Sequence, residues 1–223
     1  MSDTSILLVA LEDIRCFLNE NSELFFNERD FQMHLTSYLH QTGNYSDVDV
    51  EYYVPTDELD GYKKLWNSEL KLDIVISNGK DYVPIELKYK TKKTGKIFPR
   101  FGEELPKKID VVKNQGARDL GMYDFWKDVH RIELVRKRFC NVKHGLAVFV
   151  TNDVGYTKPC NGKPNHLNFA MNNGTHPKDK HWQIKDSKCC KTHPDFDVEK
   201  EYTINWNSKK IEGETIFYTV LTI

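Results

Sequence analysis

The chain lacks three things, and each absence excludes a class of function. No apolar run is long enough to span a membrane. Residues 6–11 follow Asp3 and end at Glu12-Asp13, so they read as neither export signal nor membrane helix. Cysteine is scarce and odd in number, five in 223 residues with no Cys-x-x-Cys pair, which points to free thiols and a reducing, cytoplasmic setting. Cys160, Cys189, Cys190 and His193 do not follow the Cys-x₂₋₄-Cys spacing of a structural zinc site. An excess of charge is missing too. The formal net charge is −1 and the pI about 6.7, so any surface for nucleic acid has to be local.

What the chain does have is a stretch, residues 69–90 (ELKLDIVISNGKDYVPIELKYK), where alternation, turn chemistry and titratable residues coincide. Leu70, Leu72, Ile74 and Ile76 fall on one face of a strand with Asp73 on the other, and Val83, Ile85 and Leu87 repeat the period of two. Asn78-Gly79 supplies a hairpin turn, since both residues tolerate positive φ. A two-residue loop sets Asp73 opposite Pro84 and a four-residue loop sets it opposite Glu86; either puts Asp73, Glu86 and Lys88 on one face. Two carboxylates and an amine within roughly 5–8 Å suit a shared divalent ion. Directly afterwards, residues 88–100 hold five lysines, an arginine and no acid.

Asp73, twelve intervening residues, then Glu86-Leu87-Lys88 after the apolar Val83-Pro84-Ile85 resembles the PD-(D/E)xK signature of the restriction-endonuclease-like nuclease superfamily. A second Glu-x-Lys triplet, Glu69-Leu70-Lys71, lacks that context, and Leu72 stands where the signature has proline. The resemblance implies an α/β fold, a sandwich of a central mixed sheet flanked by helices with the core order αβββαβ. It also implies that Asp73, Glu86, the Leu87 carbonyl and Glu28 hold Mg²⁺, with Mn²⁺ able to substitute, and that Lys88 acts on the reacting phosphate.

The rest of the chain fits such a sandwich. Residues 6–18 have one helical apolar stripe, and Asn27 is an N-cap for a helix to about His40. Glu28 falls on that helix's apolar side beside Gln32. It reads either as a first-turn acid favoured by the helix dipole or, following the resemblance, as a third acid of the metal site. Residues 47–54 read as a strand and 56–67 as a loop beside the site. Pro106 opens a helix to about Leu120, carrying Gln115. The superfamily often has a glutamine on that helix, so Gln115 joins the catalytic candidates, while an ordinary boundary residue remains the alternative. The tyrosine that marks the RecB-like branch is replaced by Asp119. A further helix, residues 123–137, buries Met122, Phe125, Trp126, Val129 and Ile132 and exposes Asp124, Asp128, Arg131 and Arg136. Residues 145–151 form a central strand buried on both faces. Residues 152–180 read as a polar insertion, a lid or substrate-contacting loop, and residues 181–185, 198–206 and 215–223 as short strands, the last at the sheet edge.

The reading is a single domain over residues 1–223 that hydrolyses phosphodiester bonds with Mg²⁺. DNA is the first expectation and RNA the second, and restriction or defence is the setting the superfamily suggests. Lys90, Lys92, Lys93, Lys96 and Arg100 would hold backbone phosphates. No membrane partner is expected, and a homodimer is left open. The rival is a non-catalytic nucleic-acid- or protein-binding module that keeps the fold.

Overall fold

The computed structural model describes residues 5–96, 101–103 and 109–223. Two amphipathic helices open the chain, α1 (Ile6–Glu20) and α2 (Glu28–Thr42). Asn27 caps α2 as its sequence predicts: its side chain accepts the Asp30 N–H at 2.9 Å, while the Asp30 carboxylate reaches back to the Phe26 N–H. This reciprocal cap fixes Glu28 as the first residue of the helix. β1 (Asp47–Val54) follows, then the short α3 (Tyr62–Leu65) and the hairpin of β2 (Leu70–Asn78) and β3 (Asp81–Lys90). β4 (Thr94–Lys96) and β5 (Ile109–Val112) pair with each other apart from the main sheet.

α4 (Arg118–Arg138) and β6 (Leu146–Thr151) complete the centre. Short elements follow: β7 (Gly174–His176), β8 (Asp179–Lys180), α5 (Lys188–Thr192), β9 (Phe196–Asp197) and β10 (Tyr202–Ile204). β11 (Asn207–Ile211) and β12 (Glu214–Thr222) end the chain. The six-stranded sheet runs β1-β2-β3-β6-β12-β11. Only β3 and β6 are parallel, so the sheet is mixed and the protein is α/β. Phe17, Phe31, Leu35 and Leu39 of α1 and α2 fill one face of the sheet; Phe125, Trp126, Val129 and Ile132 of α4 fill the other. No helix among the described residues is long and apolar enough to cross a membrane.

Several expectations are corrected. The hairpin turn is Gly79-Lys80, with Asn78 paired to Asp81. Of these two residues only Gly79 has positive φ (63°), so the turn is of the II′ kind, which needs glycine at its first position. The apolar alternation of β2 breaks at Asp73: Leu70 and Leu72 pack toward α4, Ile74 and Ile76 toward α2. Opposite the break Glu51 has φ 50°, and the β1–β2 ladder skips the Glu51–Asp73 pair. Gln32 fills the gap, donating to the Asp73 carbonyl at 2.7 Å and the Glu51 carboxylate at 3.2 Å.

The helix expected from Pro106 fails for a physical reason. Residues 106–108 lie outside the described residues, and the β-branched Ile109, Val111 and Val112 form β5 instead. Ala117 takes left-handed φ (60°), so α4 starts only at Arg118. β12 lies inside the sheet and β11 is its edge, while residues 181–185 are irregular. The 56–67 segment is more than a loop: Leu59, Tyr62 and Trp66 are buried against α4. Residues 152–180 are likewise packed down, with Phe169, Met171 and Lys180 fully buried and the Trp126 indole donating to the Phe169 carbonyl.

Candidate active site

β2 and β3 stay paired from the turn to Ile74↔Ile85 and then diverge. The same register carried one step further sets Asp73 opposite Glu86, the arrangement expected of the longer loop. Past that point β3 still pairs with β6 through Lys90, but its β2-facing edge is open. Two carboxylates from other elements close it. Asp73 Oδ2 accepts the Leu87 N–H at 2.6 Å, and Glu28 Oε2, delivered by the capped start of α2, accepts the Tyr89 N–H at 2.9 Å. The Leu87 carbonyl accepts from the Lys88 ammonium at 3.1 Å.

Glu86 and Lys88 point to the α4 face, where they meet Asp128, a residue whose side chain the sequence pattern places in solvent. Asp128 is 2% exposed. Its Oδ2 lies 2.5 Å from Lys88 Nζ, an ion pair without hydrogen-bond alignment, and its Oδ1 takes the Arg131 guanidinium at 3.3 Å. Arg131 also donates to the Tyr62 hydroxyl at 3.3 Å. α4 is buried on more than one stripe because the 56–67 segment covers a second side of it, and no helical periodicity reports that.

The electrostatics follow from burial. Glu86 is 3% exposed, and its Oε1 is fully buried without a hydrogen-bond partner. Burial pushes the Glu86 carboxyl well above the usual range, and Asp128 and Asp73 add to the rise against the pull of Lys88 and Arg131. Burial likewise lifts Asp73 to about 6, opposed by Lys88 and the Leu87 N–H. For Lys88 burial favours the neutral amine, but Asp128, Glu28, Glu86 and Asp73 outweigh it and hold the ammonium above its ordinary value.

Asp73, Glu86, Lys88 and Glu28 are thus brought together, and the Leu87 carbonyl sits among them. Gln115 is not: it is exposed on irregular chain, tied to the end of β3 only by its N–H to the Thr91 carbonyl at 2.9 Å. Of the basic run, Lys90 lies 3.9 Å from Asp124 and Lys92 3.0 Å from Asp153, which Arg118 also binds. Lys93 is exposed, the side chain of Lys96 is not described and Arg100 lies outside the described residues. The acids Asp124 and Asp153 are distant in sequence, so the run is less basic in the fold than it reads.

Among the described residues no group of three or more His, Cys, Asp or Glu side chains is gathered as a metal-holding cluster. Mg²⁺ asks for less, since it takes one or two carboxylates and keeps several waters. The donor set fits that need. Asp73 and Glu86 are adjacent carboxylates with raised pKa, the Leu87 carbonyl follows directly after Glu86, and one buried oxygen has no partner. Comparison of the chain with protein-family models, with curated proteins and with solved structures finds no match.

Proposed function

We propose that the protein is a metal-dependent nuclease of the restriction-endonuclease-like, PD-(D/E)xK kind, cleaving phosphodiester bonds with DNA as first substrate. The observation that carries the reading is the unpartnered, buried Glu86 Oε1 beside Asp73 where β2 and β3 part, with Lys88 on the same face. The element order α2, β1, β2, β3, α4, β6 is compatible with the αβββαβ core.

Asp73, Glu86 and the Leu87 carbonyl would hold Mg²⁺, with Glu28 beside them. When bound, the ion supplies Lewis acidity and positive charge at the phosphoryl oxygens. The low-dielectric setting strengthens what the protein adds. Lys88 keeps its proton and presents positive charge where negative charge develops on phosphorus-bound oxygens. Lys90, Lys92 and Lys93, just past the end of β3, hold flanking phosphates.

The second reading, a binding module without chemistry, is favoured by one observation: Asp73 and Glu28 cap open strand N–H groups, a structural task. Purified protein is to be assayed on single-stranded, double-stranded and branched DNA and on RNA with Mg²⁺ or Mn²⁺. Metal-dependent cleavage that Lys88→Ala lowers by about two to three orders of magnitude, with little change in affinity, supports the nuclease. Wild-type protein that binds one of these substrates and leaves all of them uncut sinks it.

A further inference from the structure

We infer that Asp128 is a positioning residue that keeps the Lys88 ammonium off the Asp73–Glu86 carboxylate pair, leaving that pair open to a cation. The inference rests on the nuclease reading for its metal, but its geometry stands alone.

A buried lysine next to two acids normally closes onto them, because an ammonium is itself a suitable counter-ion. Lys88 does not. It meets Asp128 Oδ2 at 2.5 Å and the Leu87 carbonyl at 3.1 Å, while Glu86 Oε1 in the same buried site has no hydrogen-bond partner. Asp128 can hold the ammonium because it is fixed from the other side, by Arg131 one turn along α4, and Arg131 is held by the Tyr62 hydroxyl. The chain Tyr62–Arg131–Asp128–Lys88 thus runs from the 56–67 segment to the catalytic strand. The charges agree with this division. Four acids, Asp73, Glu86, Asp128 and Glu28, act on Lys88, and with Lys88 and Arg131 both drawn toward Asp128 neither cation pairs with Asp73 or Glu86. Without Asp128 the Lys88 ammonium would swing the short way to Glu86 and occupy the place of the metal.

A purely electrostatic role for Asp128 also predicts weaker metal binding when it is neutralised, so the test has to separate action through Lys88 from charge alone. Mn²⁺ affinity is to be measured on the full chain for wild type, Asp128→Asn, Lys88→Met and the double variant. If Asp128 acts through Lys88, Asp128→Asn weakens Mn²⁺ binding about tenfold in the wild-type background and changes it by less than about twofold when Lys88 is already methionine. Equal weakening in both backgrounds overturns the proposal. The second measurement needs no metal: the side-chain ¹⁵Nζ resonance of Lys88, assigned by its disappearance in Lys88→Met. A shifted or broadened resonance in a folded Asp128→Asn variant supports the hold, and an unchanged one overturns it. If wild-type protein binds no Mn²⁺, the nuclease reading fails while the resonance still decides the role of Asp128.

Discussion

α4 carries two buried carboxylates five residues apart, and their surroundings differ in kind. Glu133 is fully buried; its Oε1 accepts the Glu199 N–H at 2.8 Å and the Tyr202 hydroxyl at 2.9 Å, which pins the 198–204 segment to the helix, while its Oε2 has no hydrogen-bond partner and lies 3.5 Å from His130 Nδ1. Nearby Lys180, also fully buried, gives its ammonium to the Asn168 and Pro177 carbonyls and stacks 3.6 Å above the Trp126 ring. Asp128 instead faces a cluster of five charged side chains, counting itself, in which Glu86 Oε1 and Arg131 Nε have no partner. Buried charge by itself is therefore no mark of a site. An unpartnered buried oxygen is no mark of a site either, since Glu133 Oε2 has none; what distinguishes Glu86 is that its open oxygen lies beside the Asp73 carboxylate and the Lys88 ammonium where two strands part, whereas Glu133 fastens backbone and hydroxyl groups of another segment.

The largest effect should separate the two regions outright. Glu86→Gln is expected to lower metal-dependent cleavage about a thousandfold. Without divalent cation the same change should leave the melting temperature unchanged or higher, because it removes a buried carboxylate that its neighbours repel. A variant that loses both cleavage and stability would place Glu86 with Glu133 as a structural acid.

Glu133→Ala should do the reverse. It strands the Glu199 N–H and the Tyr202 hydroxyl and should cost about 3 kcal/mol in chemical denaturation, with cleavage at 25 °C changed less than about twofold. Lost cleavage in the folded variant would extend the active site along α4.

The smallest effect is a pair of opposed pH limbs. Asp73 is raised from its unfolded value to about 6, so its protonated form favours the fold, and that contribution is full below the unfolded pKa and lost as pH rises through about 6. Lys180 is lowered by burial to about 7, so between that value and its unfolded pKa the unfolded chain holds more protons and stability rises with pH. Both limbs should appear in the pH dependence of chemical denaturation. Asp73→Asn should flatten the acid limb and Lys180→Met the alkaline one; a curve that keeps both limbs in both variants assigns them elsewhere.

What the sequence by itself determined is what depends on short-range pattern. The capped start of α2, the strand over residues 47–54, the buried strand after residue 145 and the placement of Glu86 and Lys88 on one face of β3 follow from cap chemistry and periods of 2 and 3.6 residues, whereas the period fails at Asp73. The strand β5 in place of a helix shows where local signals compete: Pro106 invited a helix that β-branched residues and a left-handed Ala117 refused. Only the tertiary structure decided the rest. Burial of Asp128 requires the 56–67 segment to lie across α4, and the opening at Asp73 requires the break opposite Glu51 and the reach of Gln32 from α2. The pairing of Lys90 and Lys92 with Asp124 and Asp153 joins residues 34 and 61 positions apart. No one-dimensional period carries such contacts, because burial on a second face and charge neutralisation are set by whichever distant segment arrives there.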